Sequence, residues 1–140
     1  MLQTSDKVLL SLTQMASRNL LATGSTDRTV SFWDLREESQ LISLTMKGHT
    51  GPVSAVASHP TSPLLLASGS YDSTVRVWDA RSPNQALFVL PMPKEEGAKG
   101  DKVLAVDWDG ERIVAGGEGA KVVVWRVTDS QKEAPVAMVE

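Results

Sequence analysis

The side chains best suited to chemistry in this chain of 140 residues are His49, Ser68 and Asp72, with Trp78 following close behind them. Histidine, serine and aspartate are the members of a hydrolytic triad, in which the imidazole takes the hydroxyl proton and the carboxylate orients the imidazole. The local sequence argues against that use. A nucleophilic serine of the G-x-S-x-G type sits on a sharp strand-to-helix turn, whereas Ser68-Gly69-Ser70-Tyr71-Asp72 runs into Thr74-Val75-Arg76-Val77-Trp78, a strand-like alternation with no helix after it. Metal chemistry fares no better, because His49 and His59 stand in a chain without cysteine and cannot complete a zinc set. The aspartates fall singly in turns, without the dense D-x-D-x-D spacing of a calcium loop. Gly24-Ser25 and Gly116-Gly117 are turn glycines, and neither belongs to a phosphate-binding G-x-x-x-x-G-K-[ST] loop. The sequence therefore predicts no catalytic residue, no metal site and no cofactor.

The elements that carry these residues are repeated. Leu21 to Asp34, LATGSTDRTVSFWD, returns 45 residues later as Leu66 to Asp79, LASGSYDSTVRVWD, and a degraded third copy runs from Val114 to Trp125. Self-similarity at such a period means one supersecondary unit stacked on copies of itself. The second unit breaks into short strands over Val53–Ser58, Leu64–Ser68, Thr74–Trp78 and Ala86–Leu90. The first unit opens with Val8–Leu12 and closes with Leu41–Met46, and the third opens with Val103–Trp108. Alternation of period 2 between Gly/Pro turns predicts antiparallel strands and excludes a doubly wound α/β fold. A sandwich or a propeller remains, and Gly48-His49 with the repeated Trp-Asp pair selects the propeller. Trp33, Trp78 and Trp125 recur once per unit and read as core anchors; Trp108 lies outside that period and is expected to be buried too. In the third unit the core is expected to rest on Val103, Ile113, Val114, Val122 and Val124. Thr128 to Glu140 reads as a disordered end, with a poorly marked outer strand as the alternative.

The charge balance, 14 Lys+Arg against 17 Asp+Glu for a net charge of -3, argues against a nucleic-acid platform, which shows a basic excess or stripe. The lack of cysteine suits a reducing compartment. No apolar run approaches the ~18–20 residues that span a bilayer, and Met1-Leu2-Gln3-Thr4 does not open a signal peptide. A soluble, intracellular protein with no membrane partner is the expectation.

Gly48-His49, Val53, Val56, His59-Pro60, Ala67-Ser68-Gly69-Ser70, Asp72 and Val75-Arg76-Val77-Trp78-Asp79 identify the chain as a member of the WD-repeat family. The resemblance runs over residues 8–127 and implies an all-β fold of the WD40-type β-propeller, a rigid interaction scaffold without catalysis. On this reading the chain holds three four-stranded blades, about 1–46, 47–90 and 91–128, with 129–140 as a tail or weak outer strand. Three blades are under half of the expected seven-bladed ring, so the remaining blades should lie on another chain or outside this sequence, and both end blades should expose apolar faces. Within the family the chain resembles the C-terminal blades of the fungal ribosome-biogenesis WD-repeat proteins whose animal counterparts work with the block-of-proliferation and pescadillo proteins. The residues that carry this are Leu20 to Arg28 with Ser31 to Asp34, Gly48 to Val56, and Asp101 to Trp108 followed by Ala115-Gly116-Gly117. It implies docking onto another propeller protein of the block-of-proliferation type, with pescadillo in the same complex, during large-subunit assembly in the nucleolus and nucleoplasm. It also implies an N-terminal ubiquitin-like domain that meets a remodelling ATPase, which is not among these residues.

The same resemblance assigns the marked polar residues a structural role: a buried relay from the Trp78 indole through Ser68 and His49 to the turn residue Asp72. The first unit keeps Thr23, Asp27 and Trp33 of that relay but has Ser5-Asp6-Lys7 where Gly-His would stand. The third keeps only Trp125, with Ala115, Gly119 and Lys99-Gly100-Asp101 at the other positions. Loss of all polar members together avoids stranding one of them in the core. Function is then expected on the surface, at the end that carries the turn residues Thr26, Tyr71 and Glu118 with Thr50 and Pro52. Tyr71 is the candidate anchor and Arg28 and Arg76 are the charged candidates. The rivals to the ribosomal reading are a WD-repeat adaptor of a histone-binding or ubiquitin-ligase complex and a direct RNA-binding module. The latter, with pre-ribosomal RNA as its ligand, requires lysines and arginines to converge on one face.

Overall fold

The computed structural model describes residues 7–17, 19–36, 44–127 and 137–139. The described strands form three four-stranded antiparallel sheets. The first holds β1 (Leu9–Gln14), β2 (Leu20–Ser25), β3 (Thr29–Asp34) and β4 (Leu44–Lys47) in that order. The second holds β5 (Val53–Ser58), β6 (Leu65–Ser70), β7 (Thr74–Asp79) and β8 (Phe88–Pro91), again in sequence order. The third holds β9 (Val103–Trp108), β10 (Arg112–Gly117) and β11 (Val122–Arg126). Its fourth strand, β12 (Ala137–Val139), comes from the tail and pairs with β11, so here the outer strand forms where the sequence alone favoured a disordered end. No helix among the described residues is long and apolar enough to cross a membrane.

Repetition in sequence becomes repetition in turn chemistry. The amide of Arg28 donates to the Ser25 carbonyl and that of Ser73 to the Ser70 carbonyl, both at 3.2 Å. Each of these tight turns ends on a left-handed residue: Arg28 at φ 73°, Ser73 at φ 70° and, in the third sheet, Ala120 at φ 54°. A turn followed by a left-handed residue is a recurrent hairpin loop that matches the twist of the flanking strands.

The sheets stack in sequence order, with β5 of the second packed against both β1 and β9. Gly24 and Gly69 make the approach close. A Cβ on Gly24 would stand 2.7 Å from Val53 Cγ1, and one on Gly69 would meet the Val103 side chain and come within 2.7 Å of Val106 Cγ2. The equivalent Gly116 has nothing within 4 Å, and no further sheet among the described residues covers that face. Met15, Ala22, Val30, Phe32 and Met46 of the first sheet pack on Val53, Val56, Leu66 and Trp78 of the second. The opposite face of the second sheet packs Ala67, Val75, Val77 and Leu90 on Val103, Ile113, Val123 and Trp125.

That arrangement corrects the expected core of the third unit. Val103 and Ile113 are buried, but Val114 and Val122 are exposed and Val124 is half-buried. Side chains alternate across a strand, so Ile113, Ala115, Val123 and Trp125 share the face turned to the second sheet and the intervening valines point the other way. At the opposite end of the stack Val8, Leu10 and Leu12 are exposed.

Candidate functional site

The second sheet builds the relay from three elements. Ser68 lies on β6 and Trp78 on β7, while His49 arrives on the connection between β4 and β5. The Trp78 indole N–H donates to Ser68 Oγ at 2.7 Å, and Ser68 Oγ lies 2.7 Å from His49 Nε2. His49 Nδ1 lies 2.8 Å from Asp72 Oδ2. With the imidazole proton on Nδ1, indole, hydroxyl and imidazole each donate to the next member and no buried donor is left over.

Asp72 is the node. Its Oδ2 also accepts the Thr50 amide at 3.0 Å, and its Oδ1 accepts the Thr74 amide at 2.9 Å and the Thr74 hydroxyl at 2.6 Å. Burial pushes the carboxyl up, but the hydrogen bonds from His49 and Thr74, the proximity of His49 and the Thr50 amide prevail and hold it well below the ordinary carboxylate range. The turn is further tied by Ser70, whose hydroxyl accepts the Asp72 amide at 3.1 Å and donates to the Gly51 carbonyl at 3.0 Å. Ser68 is 0% exposed. No substrate can reach its hydroxyl, so the Ser-His-Asp chain locks connection, turn and strand together and performs no hydrolysis.

In the first sheet Trp33 donates to Thr23 Oγ1 at 2.9 Å, and Asp27 Oδ1 accepts the Thr29 amide at 3.1 Å and its hydroxyl at 2.5 Å. The two halves of the relay are present there, but no histidine joins them among the described residues. In the third sheet Gly119 holds the turn position of Asp72, and the Asp101 carboxylate lies where a Cβ of Gly119 would stand. An acid from the connection has taken the space that the turn acid fills elsewhere.

At the end of the stack that carries the turns, Tyr71 is 38% exposed, and its amide donates to the Pro52 carbonyl at 3.0 Å. Lys102 Nζ sits 5.0 Å from the Tyr71 ring centroid. The Lys102 amide donates to Glu118 Oε1 at 3.3 Å, and its carbonyl accepts the Glu118 amide at 3.2 Å. Tyr71 and Glu118 thus meet through Lys102, Pro52 is bonded to Tyr71 directly, and Thr50 is tied to the same turn through Asp72. Thr26 belongs to the first sheet, where its amide donates to the Val8 carbonyl at 3.0 Å. Arg28 and Arg76 stand beside the connection 47–49, at the junction of the first and second sheets.

Several contributors were not singled out from sequence. Lys102 is one, and the partners of the turn acids, Ser70 and Thr74, are others; the pattern Ser-x-Asp-x-Thr at 25–29 and 70–74 carried that signal. Trp-Asp-x-Arg at 33–36 and 78–81 carried a second. Arg36 and Arg81 fork onto Asp34 and Asp79 at 2.5 and 2.6 Å, and the side-chain hydrogen bonds from Arg36 lower the Asp34 pKa to about 2. His59 accepts the Ser62 amide at 2.9 Å and meets Trp108 edge to face at 4.8 Å, a contact between the second and third sheets. Among the described residues no group of acids and histidines is placed to hold a metal ion.

Residues 3–34 and 41–79 match the family described as WD domain, G-beta repeat. The chain is 38% identical over 129 residues to Ribosome biogenesis protein YTM1 of Scheffersomyces stipitis, a match that covers 89% of this chain and 27% of that protein. The protein of the same name from Debaryomyces hansenii is 37% identical over 136 residues, covering 93% of this chain and 29% of the relative. Nuclear distribution protein PAC1 of Komagataella phaffii is 43% identical over 48 residues, 34% of this chain and 10% of that protein. The chain therefore spans less than a third of the length of the ribosome-biogenesis relatives.

Proposed function

The chain belongs to the WD domain, G-beta repeat family, and from that premise we propose that it is a non-catalytic protein-interaction scaffold in ribosome biogenesis. The observation that carries the reading is the reach of the similarity. The family match ends at residue 79, but the likeness to the two ribosome biogenesis proteins takes in 89% and 93% of the chain and so includes most of the degenerate third unit. A WD protein of another pathway aligns over only 48 residues, about the length of one repeat.

The finer reading is assembly of the large subunit in the nucleolus and nucleoplasm. The partner is another propeller protein of the block-of-proliferation type, with pescadillo in the same complex. The three sheets serve as blades of a closed ring, a reading supported by the exposed Leu12, Leu104 and Val122 on its two end faces and by the greater length of the relatives. Tyr71, stiffened by Lys102 and grouped with Thr50, Pro52 and Glu118, is the proposed anchor of the partner interface, with Thr26 as a candidate contact on the first sheet. Arg28 and Arg76 are peripheral contacts on this reading.

The test is co-sedimentation of the tagged chain with large-subunit precursor particles, together with its affinity for a block-of-proliferation-type propeller. Tyr71→Ala should weaken that affinity by about 2 kcal/mol, the scale of a desolvated aromatic anchor. Its thermal unfolding should shift by no more than an exposed turn residue allows, under ~0.5 kcal/mol. A chain absent from the precursor particles overturns the ribosomal reading, and unchanged affinity on Tyr71→Ala overturns the interface.

A further inference from the structure

Between the first and second sheets lies a cleft of about 320 Å³, lined by Asp27, Arg28, Thr29, Lys47, Gly48 and His49. Arg28 and Lys47 are exposed at its mouth. A third cation, on the second sheet, stands against Gly48, one of the lining residues. Arg76 Nη1 lies 2.7 Å from where a Cβ of Gly48 would stand, so the guanidinium rests directly on the Gly48 backbone, and its Nε is buried with no hydrogen-bond partner. Three other arginines, Arg36, Arg81 and Arg112, are paired with Asp34, Asp79 and Asp109. Arg28, Lys47 and Arg76 have no carboxylate partner among the described residues. The one acid in the cleft, Asp27, has its Oδ1 engaged by the amide and hydroxyl of Thr29.

The backbone adds a second, independent observation. Arg28 occupies a left-handed turn position at φ 73°, which the other two turns fill with the small Ser73 and Ala120. A side chain held at positive φ carries a backbone penalty that glycine avoids. The long cation stands at the turn beside an open cleft. At the next junction the corresponding glycine meets the turn residue itself, since a Cβ on Gly100 would stand 2.6 Å from Ser73 Oγ.

We propose that this cleft seats the anionic side chain, carboxylate or phosphate, of an acidic protein segment. The Arg28 guanidinium and Lys47 ammonium lining the recess, with the Arg76 guanidinium against its Gly48, match the charge of such a group. A nucleic-acid strand is disfavoured, because single-stranded binding relies on exposed aromatic platforms. The aromatic ring nearest this wall, Trp78, is 0% exposed. The inference goes beyond the ribosomal reading and does not depend on it.

The experiment uses the purified full chain with four labelled probes of equal length: a glutamate-rich peptide, its glutamine counterpart, its phosphoserine counterpart and oligouridylate. Both anionic peptides should bind and the glutamine peptide should not; the ratio of their affinities tells carboxylate from phosphate as the preferred group. Arg28→Ser, which installs the residue already tolerated at φ 70° in the second turn, should weaken peptide binding about tenfold with an unchanged melting curve. Lys47→Ala should weaken it less, and Lys121→Ala, on the third sheet, not at all. The proposal is overturned if neither anionic peptide binds, if Arg28→Ser leaves their affinity intact, or if oligouridylate binds more tightly and is the ligand that Arg28→Ser releases.

Discussion

The second and third sheets share a strand plan and differ in what fastens it. In the second, a histidine from the connection, a serine on one strand, a tryptophan on the next and an aspartate in the turn close a buried chain of hydrogen bonds. In the third, the serine is Ala115, the turn aspartate is Gly119, and the connection supplies Asp101 over that glycine. The tryptophan is kept in both and is buried in both, at 0% for Trp78 and 1% for Trp125. The aromatic anchor thus stays buried without the relay, because apolar contact with the neighbouring sheet is what buries it. The relay adds directional bonds that fix the connection and turn to the strands. These are the parts that carry Tyr71, Thr50 and Pro52.

The largest contrast should appear when the node is removed. Asp72→Ala strands the His49 Nδ1 proton and the part-buried Thr74 amide in a site where the His49 side chain is 1% exposed, and releases the exposed Thr50 amide to water. Buried donors left without acceptors cost their desolvation, so urea unfolding should report a loss of roughly 2–3 kcal/mol. A loss below ~0.5 kcal/mol would mean that the relay is ornamental and the two sheets are held alike.

A smaller effect is expected in the third sheet, from a different cause. Gly119 has an ordinary backbone conformation, so alanine there meets no torsional penalty; it meets the Asp101 carboxylate instead. Overpacking at a short side chain close to its own backbone should cost about 1–2 kcal/mol. Asp101→Ala in the same chain should restore most of that loss, since the pair is in contact and its effects are not additive. Full additivity in the double mutant would show that the acid had not taken over the vacated turn position.

Much of this was legible in the sequence, and the failures are instructive. The strand plan and the turns followed from a repeat in which each unit checks the others, and the four relay members followed from the family resemblance of the second unit. What sequence could not assign was the face of each apolar residue in the third unit, because Ile113-Val114 and Val122-Val123-Val124 are apolar on both faces and lose the alternation that sets register. Trp125 would have helped: it shares a face with Val123, and the equivalent Trp78 is buried. The compensation of Gly119 by Asp101 was hidden for another reason. It joins residues that lie apart in sequence and breaks the repeat at both positions, so neither copy could serve as its template. The cation cleft was visible only as single charges, until the stacking of the first two sheets brought Arg28, Lys47 and Arg76 around Gly48.

The last and smallest expected effect is on acid stability. His49 and Thr74 hold the Asp72 carboxyl below its ordinary 3.8, whereas the unfolded chain binds a proton near that value. As pH falls below about 4 the unfolded state takes up a proton that the folded state resists. The stability contributed by Asp72 is therefore full above that range and is lost progressively below it. Asp72→Asn removes the group that titrates, so the stability gap between wild type and variant should be widest near neutrality and narrow steadily below pH 4. The third sheet provides the contrast. Asp109 is also lowered, chiefly by the Arg112 and Glu111 amides, but its side chain is 51% exposed, and solvent screens what it contributes. Asp109→Asn should leave the acid limb of the stability curve nearly unmoved. Parallel curves for wild type and Asp72→Asn would show that the acid response resides outside the relay. A narrowing specific to Asp72→Asn would tie it to the one sheet in which connection, strand and turn are joined through a buried carboxylate.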